Sequence, residues 1–208
     1  MLKMNIHKAL STKKLLEKRI DKVNDSLIPL GYKMKSSSTE YSTRLSVDDF
    51  NKKAQSSFEK STALIHNYNK ICQAITLSNS RTEIEVNGQK MTVSDAINRK
   101  NNIDKEEQLL NVLKKNYKKV LDEVKHRNDV LEEKIDTLRE IDIKEKIERQ
   151  SSYEIMRESE SWEMVDPLNI LKIIDNMEKD IMEFKSEVDF VLSTSNAQTI
   201  IEIDIDEV

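Results

Sequence analysis

The 208-residue chain carries 34 Lys and Arg against 38 Asp and Glu, a net charge of −4, and 35% of its residues are charged. It has two Gly and two Pro, where an average chain of this length carries about 14 Gly and about 10 Pro. Gly-rich phosphate loops, many-turned β-sandwiches and Pro/Gly linkers are thereby excluded, and long helices remain. The single cysteine, Cys72, can form no intramolecular disulfide, which fits a reducing compartment. No apolar run approaches the roughly 18 residues of a membrane span, and the opening MLKMNIHKAL lacks the apolar stretch of a signal peptide. The expected location is the cytoplasm. Charge is unevenly placed: residues 1–35 hold nine bases and three acids, residues 154–208 four bases and fifteen acids. The two ends are expected to attract each other within one fold or between subunits.

The N-terminal segment 1–30 reads as a helix from about residue 5 to 27. Leu16, Ile20, Val23 and Leu27 form one stripe, and Pro29 and Gly31 end it. Residues 35–44 are polar and Ser-rich, and read as a surface loop. The second helix spans 46–78. Ser46 and Asp49 form a capping box at its start. Val47, Phe50, Ala54, Leu64, Tyr68, Ile71 and Ile75 mark its apolar face, which Phe58, Ile65 and Cys72 widen, and Asn79 is the expected left-handed residue after its end.

A β-hairpin follows over 81–93, with Asn87-Gly88 as its type I′ turn. A second capping box, Thr92 to Asp95, opens a long coiled-coil helix over 94–148. Ala96, Ile103, Leu110, Tyr117, Val124, Leu131 and Leu138 recur every seven residues. Residues 142–161 either continue this helix or form a charged connector. Glu163 to Val165 reads as a short strand. Asp166-Pro167 reads as the cap and first residue of a helix over 166–195, whose stripe includes Ile174, Ile181, Phe184 and Val188. A terminal strand is expected over 199–205. Ser78 to Val86 and Ser195 to Ile203 agree at five of nine positions, which predicts two helix-to-strand transitions sharing one small sheet.

These elements resemble the septicolysin-like family of small bacterial helical proteins. The resemblance rests on AL…KKLLEKRI from Ala9 to Ile20, on SN-x-x-T and MTVSDAINRK between Ile75 and Lys100, and on DPLNI…SNAQT. It implies an N-terminal helix, a second helix, a hairpin, a long helix pair and a terminal strand. Residues 114–160 read as an insertion. The family name implies a thiol-activated cytolysin, but the only thiol here lies on an apolar helix face.

Chemistry-bearing residues are sparse. His7, His66 and His126 lie far apart, and the six-residue gap from His66 to Cys72 does not suit two ligands on one helix. Asp204, Asp206 and Glu207 lack a calcium-loop spacing and read as a guard against strand pairing. No catalytic, metal or cofactor site is expected. The interaction candidates are Asn98, Arg99, Asn101 and Asn102, a polar turn after the hairpin, and the lone Trp162.

The expectation is a mostly α protein: an antiparallel helical bundle and coiled-coil arm, with a hairpin and C-terminal strand at one end. It acts without catalysis, through protein partners and as a homo-oligomer, with no small-molecule substrate, nucleic acid or membrane. Three alternatives stand beside this: a phage or prophage protein (virion component or inhibitor of a host enzyme), a septicolysin-like membrane-active protein, and a nucleic-acid-linked protein using the basic first helix.

Overall fold

The computed structural model describes residues 1–147 and 149–205. Among these, β1 (Leu2–Asn5) leads into α1 (Ile6–Ser26), followed by α2 (Val47–Arg81) and the hairpin β2 (Glu83–Val86) and β3 (Gln89–Thr92). Then come α3 (Val93–Lys144), α4 (Gln150–Glu160), α5 (Ile170–Gln198) and β4 (Ile200–Ile203). The described residues are 73% helical with two small antiparallel strand pairs, so the fold is mostly α. The single domain expected over 1–208 is divided by its contacts into two compact units, Met1–Arg99 with Glu187–Val208, and Lys100–Ser186.

In the first unit α1 and α2 run antiparallel. Ser61 donates to Asn24 at 2.5 Å and Tyr68 to Glu17 at 2.9 Å, so positions rise on one helix as they fall on the other. Their buried faces, Ile6, Ala9 and Leu16 against Ile71 and Ile75, join Met4, Ile201 and Ile203 in one core. Each fully buried aliphatic side chain of this kind contributes about 1.5–3 kcal/mol relative to exposure. Phe58 and Ile65 do not widen the buried face of α2; both are exposed.

Residues 2–5 correct the expected N-terminal helix. They form a strand that pairs antiparallel with β4, Leu2 opposite Ile203 and Asn5 opposite Ile200. Met4 is buried, while Lys3 reaches Glu202 across the pair at 2.7 Å. Asn5 then caps α1 by accepting from the Lys8 amide at 2.9 Å.

The two matching segments do not share a sheet: β2 pairs with β3, and β4 with β1. They are nevertheless built alike. The Thr82 amide donates to the Ser78 carbonyl, and the Thr199 amide to that of Ser195, both at 2.9 Å. The same threonine carbonyls accept from Val93 at 2.9 Å and Ile6 at 3.1 Å, the first residues of α3 and α1. Registers agree as well, Glu83 opposite Thr92 and Ile200 opposite Asn5. The outgoing halves also match in sequence, Lys3-Met-Asn-Ile-x-x-Ala9 with Lys90-Met-Thr-Val-x-x-Ala96. Ile6, Ala9 and Leu16 are buried, as are their counterparts Val93, Ala96 and Ile103. The fold therefore contains one module twice: a helix entering a strand, paired with a strand leaving into a helix.

This closure explains why Asn79 is not left-handed. α2 continues through it to Arg81, and its last turn closes from Thr82, which is extended. The hairpin turn is as expected, with positive φ at Asn87 (52°) and Gly88 (68°). Both helix starts are capped; the box closes fully at Thr92, whose amide donates to Asp95 at 3.4 Å, while Asp49 accepts from the Ser46 hydroxyl at 2.7 Å. The Asp49 amide donates to Ser46 Oγ and the Asp95 amide to Thr92 Oγ1, each at 3.1 Å.

In the second unit Lys185–Glu107 (2.8 Å) and Lys114–Glu178 (2.7 Å) set α5 antiparallel to α3. α4 lies antiparallel against the far part of α3, where Leu131, Ile135 and Tyr153 form a separate small core. Arg157 grips Glu132 with two nitrogens at 2.6 and 2.5 Å, Lys134 meets Glu160 at 3.0 Å, and Tyr153 donates to the buried Asp142.

The long helix ends at Lys144, not 148, and Glu148 lies outside the described residues. Glu163 to Val165 form no strand. The backbone beside them is held instead by Asn128, which accepts from the Trp162 amide at 2.7 Å and donates to its carbonyl at 2.9 Å. Pro167 does not open the last helix. Asp166 accepts from the Ile170 amide at 2.8 Å across a turn, and Asn169, at φ 54°, precedes the first helical residue. The heptad row also drifts: Leu131 is buried, Leu138 is exposed, and Ile135 and Asp142 take its place. A straight helix turns about 20° away from a seven-residue repeat every heptad.

Candidate interaction site

The expected recognition residues fall in two places: Asn98, Asn101 and Asn102 are exposed at i, i+3 and i+4 of α3 with Arg99 half-buried beside them, and Trp162 lies apart. Asn98, Arg99 and Asn102 are already engaged within the chain. Trp162 sits at the level of Asn128, 26 residues beyond Asn102, which is roughly 39 Å along the helix at 1.5 Å per residue. It neither covers a core nor stands free: half its surface is exposed, and the Arg127 guanidinium lies 4.2 Å from its ring centre.

His7 contacts the Ser193 carbonyl at 3.1 Å. Cys72 is half-buried beside Tyr68, whose hydroxyl is pushed up to about 12, first by donating to Glu17 and then by Cys72. Among the described residues no group of three or more His, Cys, Asp or Glu can hold a metal ion. Asp206 and Glu207 lie outside the described residues.

A surface that sequence reasoning missed lies between α1 and α2. Residues 30–35 read Leu-Gly-Tyr-Lys-Met-Lys, and the alternation acts on a non-helical backbone. Inward, Gly31 leaves no room for a side chain, since an added Cβ would lie 2.6 Å from Glu40 Cγ and 2.9 Å from Phe50 Cζ. Lys33 Nζ turns back to the Ser37 carbonyl at 2.8 Å. Outward, Leu30, Tyr32 and Met34 are 84%, 64% and 73% exposed, and Tyr41, 72% exposed, lies ring to ring with Tyr32 at 5.3 Å.

This ridge is held by one carboxylate. Glu40 is buried and accepts from the Thr43 amide and hydroxyl at 2.6 Å and from the Ser42 amide and hydroxyl at 2.9 and 2.7 Å. It also accepts from the Tyr32 amide at 3.3 Å. Burial alone would raise its pKa. The hydrogen bonds from Thr43 and Ser42 outweigh that and hold it far below the usual carboxylate range. The Tyr41 amide then donates to the Tyr32 carbonyl at 2.9 Å. A loop so closely tied keeps its apolar side chains in water on a fixed frame, against the usual tendency of such groups. Residues 30–35 are all exposed, and the frame that holds their apolar side chains in water is the Glu40 network, which sequence spacing does not show.

The second unit contains an apolar groove of about 150 Å³, where Tyr117 and Val120 of α3 face Met164, Val165, Leu168 and Ile170. Val165 and Leu168 are exposed at its lip, near Glu163.

Comparison of the chain with known protein families, with characterised proteins and with solved structures finds no match. No helix among the described residues is long and apolar enough to cross a membrane.

Proposed function

We propose that this protein is a non-enzymatic helical interaction protein that works by self-association and contact with other proteins. The observation that carries the reading is the ridge of Leu30, Tyr32, Met34 and Tyr41, large apolar side chains held outward by the Glu40 network. Tyr and Met are enriched where proteins meet, and rigid aromatic side chains lose little entropy on contact. The cytoplasm is part of the same proposal, supported by the unpaired Cys72 thiol. Kinship with the septicolysin-like family is also a proposal. The hairpin and the capped start of α3 support its architecture, and a half-buried Cys72 offers no support for thiol-activated lysis.

Multi-angle light scattering across micromolar concentrations tests the function. A mass at a multiple of 24.2 kDa is expected. A single-chain mass at every concentration, in low and high salt, overturns it.

A further inference from the structure

We infer that the ridge of one copy docks into the α3–Leu168 groove of a second copy, so that association is head-to-tail. This rests on the self-association reading and names the two surfaces that meet. Three observations support the second copy as occupant.

The first is shape and polarity. The ridge projects Leu30, Tyr32 and Met34 in a row, and the groove is walled by Tyr117, Val120, Val165 and Leu168. Each surface lacks what the other provides, and apolar contact supplies the affinity.

The second is charge. Segment 27–46 holds Lys33, Lys35 and Arg44 against Glu40 alone, whose carboxylate is consumed inside the loop. Segment 154–175 holds six acids against Arg157 and Lys172. Ridge on ridge would oppose like charges, whereas ridge on groove brings Lys35 and Arg44 toward Glu163. Among the described residues that line the groove, Asp166 is the one charged side chain, and Lys115 and Lys119 line a separate hollow on another face of α3, so no cation of the groove opposes those of the ridge.

The third is the duplicated module. Ridge and groove lie at corresponding places, each at the end of a helix pair away from the strands. In one pair α1 stops at Ser26 and the chain folds into the ridge. In the other, α3 runs past the corresponding Leu113 and leaves the groove beside it. A heterologous contact of this kind closes into a ring or extends as a filament.

The test uses full-length chains altered only at exposed positions. A ridge variant carries Leu30→Asp and Met34→Asp; a groove variant carries Val165→Asp and Leu168→Asp. Each alone should lose association, with a Kd weakened about tenfold or more. Mixed one to one, they should recover a two-chain complex and nothing larger, because each retains the surface the other lacks. If either variant alone associates like the unaltered chain, or the mixture stays monomeric, the inference fails while self-association stands. An unaltered chain that stays monomeric overturns both readings, and one that instead sediments with phosphatidylserine vesicles assigns the ridge to lipid.

A second measurement does not depend on how the aspartates affect folding. In a Cys72→Ala background, mixed Met34→Cys and Leu168→Cys chains should form a disulfide-linked heterodimer under mild oxidation. Its absence, with both chains folded and the parent associated, overturns the docking.

Discussion

Lys70 and Glu187 hold corresponding strand ends with opposite charges. Lys70 Nζ donates to the Asp204 carbonyl at 2.7 Å, just past β4, and Glu187 accepts from the Asn87 amide at 2.9 Å, just past β2. The spacing from 70 to 187 equals that from 87 to 204, and both equal the spacing between the matching threonines, 82 and 199. In each module the helix that enters a strand also clamps the end of the other module's strand. Beyond these charges and the greater length of α3, the modules differ in their turns: Asn87-Gly88 joins β2 to β3 directly, whereas β4 and β1 pair from distant parts of the sequence.

A circular permutant follows from that difference. Joining residue 208 to residue 1 through a short Gly/Ser linker and opening the chain between Asn87 and Gly88 cuts one hairpin and closes its counterpart. Loop closure costs change only slowly with loop length, so the permutant should keep its helical circular dichroism and melt within a few degrees of the parent. A permutant without cooperative melting refutes the equivalence of the modules.

The hairpin turn gives a sharper case. Gly88 has φ 68° and open space where a Cβ would stand, so a side chain meets backbone strain and no clash. Gly88→Val should cost about 1–3 kcal/mol, read as a lower midpoint in urea at unchanged slope. An unchanged midpoint removes the type I′ assignment.

Much of this fold was legible because its signals are local. Ser46 and Thr92 cap helices through their own next turn, and Asn87-Gly88 needs no distant partner. β1 was missed because four residues carry too little alternation to register, and Met4 reads as strand only once β4 lies beside it. The module was half legible: SN-x-x-T was visible twice, but KM-[NT]-[IV]-x-x-A was overlooked at the N-terminus. For the ridge, composition pointed the wrong way. Ser42 and Thr43 read as solvated loop residues, yet both spend their donors on Glu40.

Glu40 makes the ridge sensitive to acid. Its pKa is depressed in the folded protein, so its stabilising effect is complete above the ordinary glutamate value of about 4.3. The effect is lost progressively as pH falls below that value toward the folded pKa. Glu40→Gln should therefore lower the melting temperature at pH 7, and the gap to the parent should narrow as pH drops below about 4. A gap that stays constant to pH 2.5 contradicts this account. Hydrogen exchange of the Tyr32, Ser42 and Thr43 amides, which donate to Glu40, locates the change at the ridge in the same samples.

The far end of α3 separates a straight helix from a supercoiled one. Strict seven-residue spacing would bury Leu138 after Leu131. Leu138 is instead 37% exposed, while Ile135 is fully buried against α4 near Tyr153. A lysine at 135 would be desolvated without a partner, which is expensive, whereas one at 138 reaches water along its aliphatic stem. Leu138→Lys should change stability by no more than about 0.5 kcal/mol. Ile135→Lys should cost about 3 kcal/mol or more, or free α4 from α3 while α1 and α2 remain folded. Hydrogen exchange distinguishes those two forms of the loss, since local release exposes amides of residues 150–160 and global unfolding exposes all. If Leu138→Lys proves the costlier change, the seven-residue row is the true seam and α3 is wound about its neighbour.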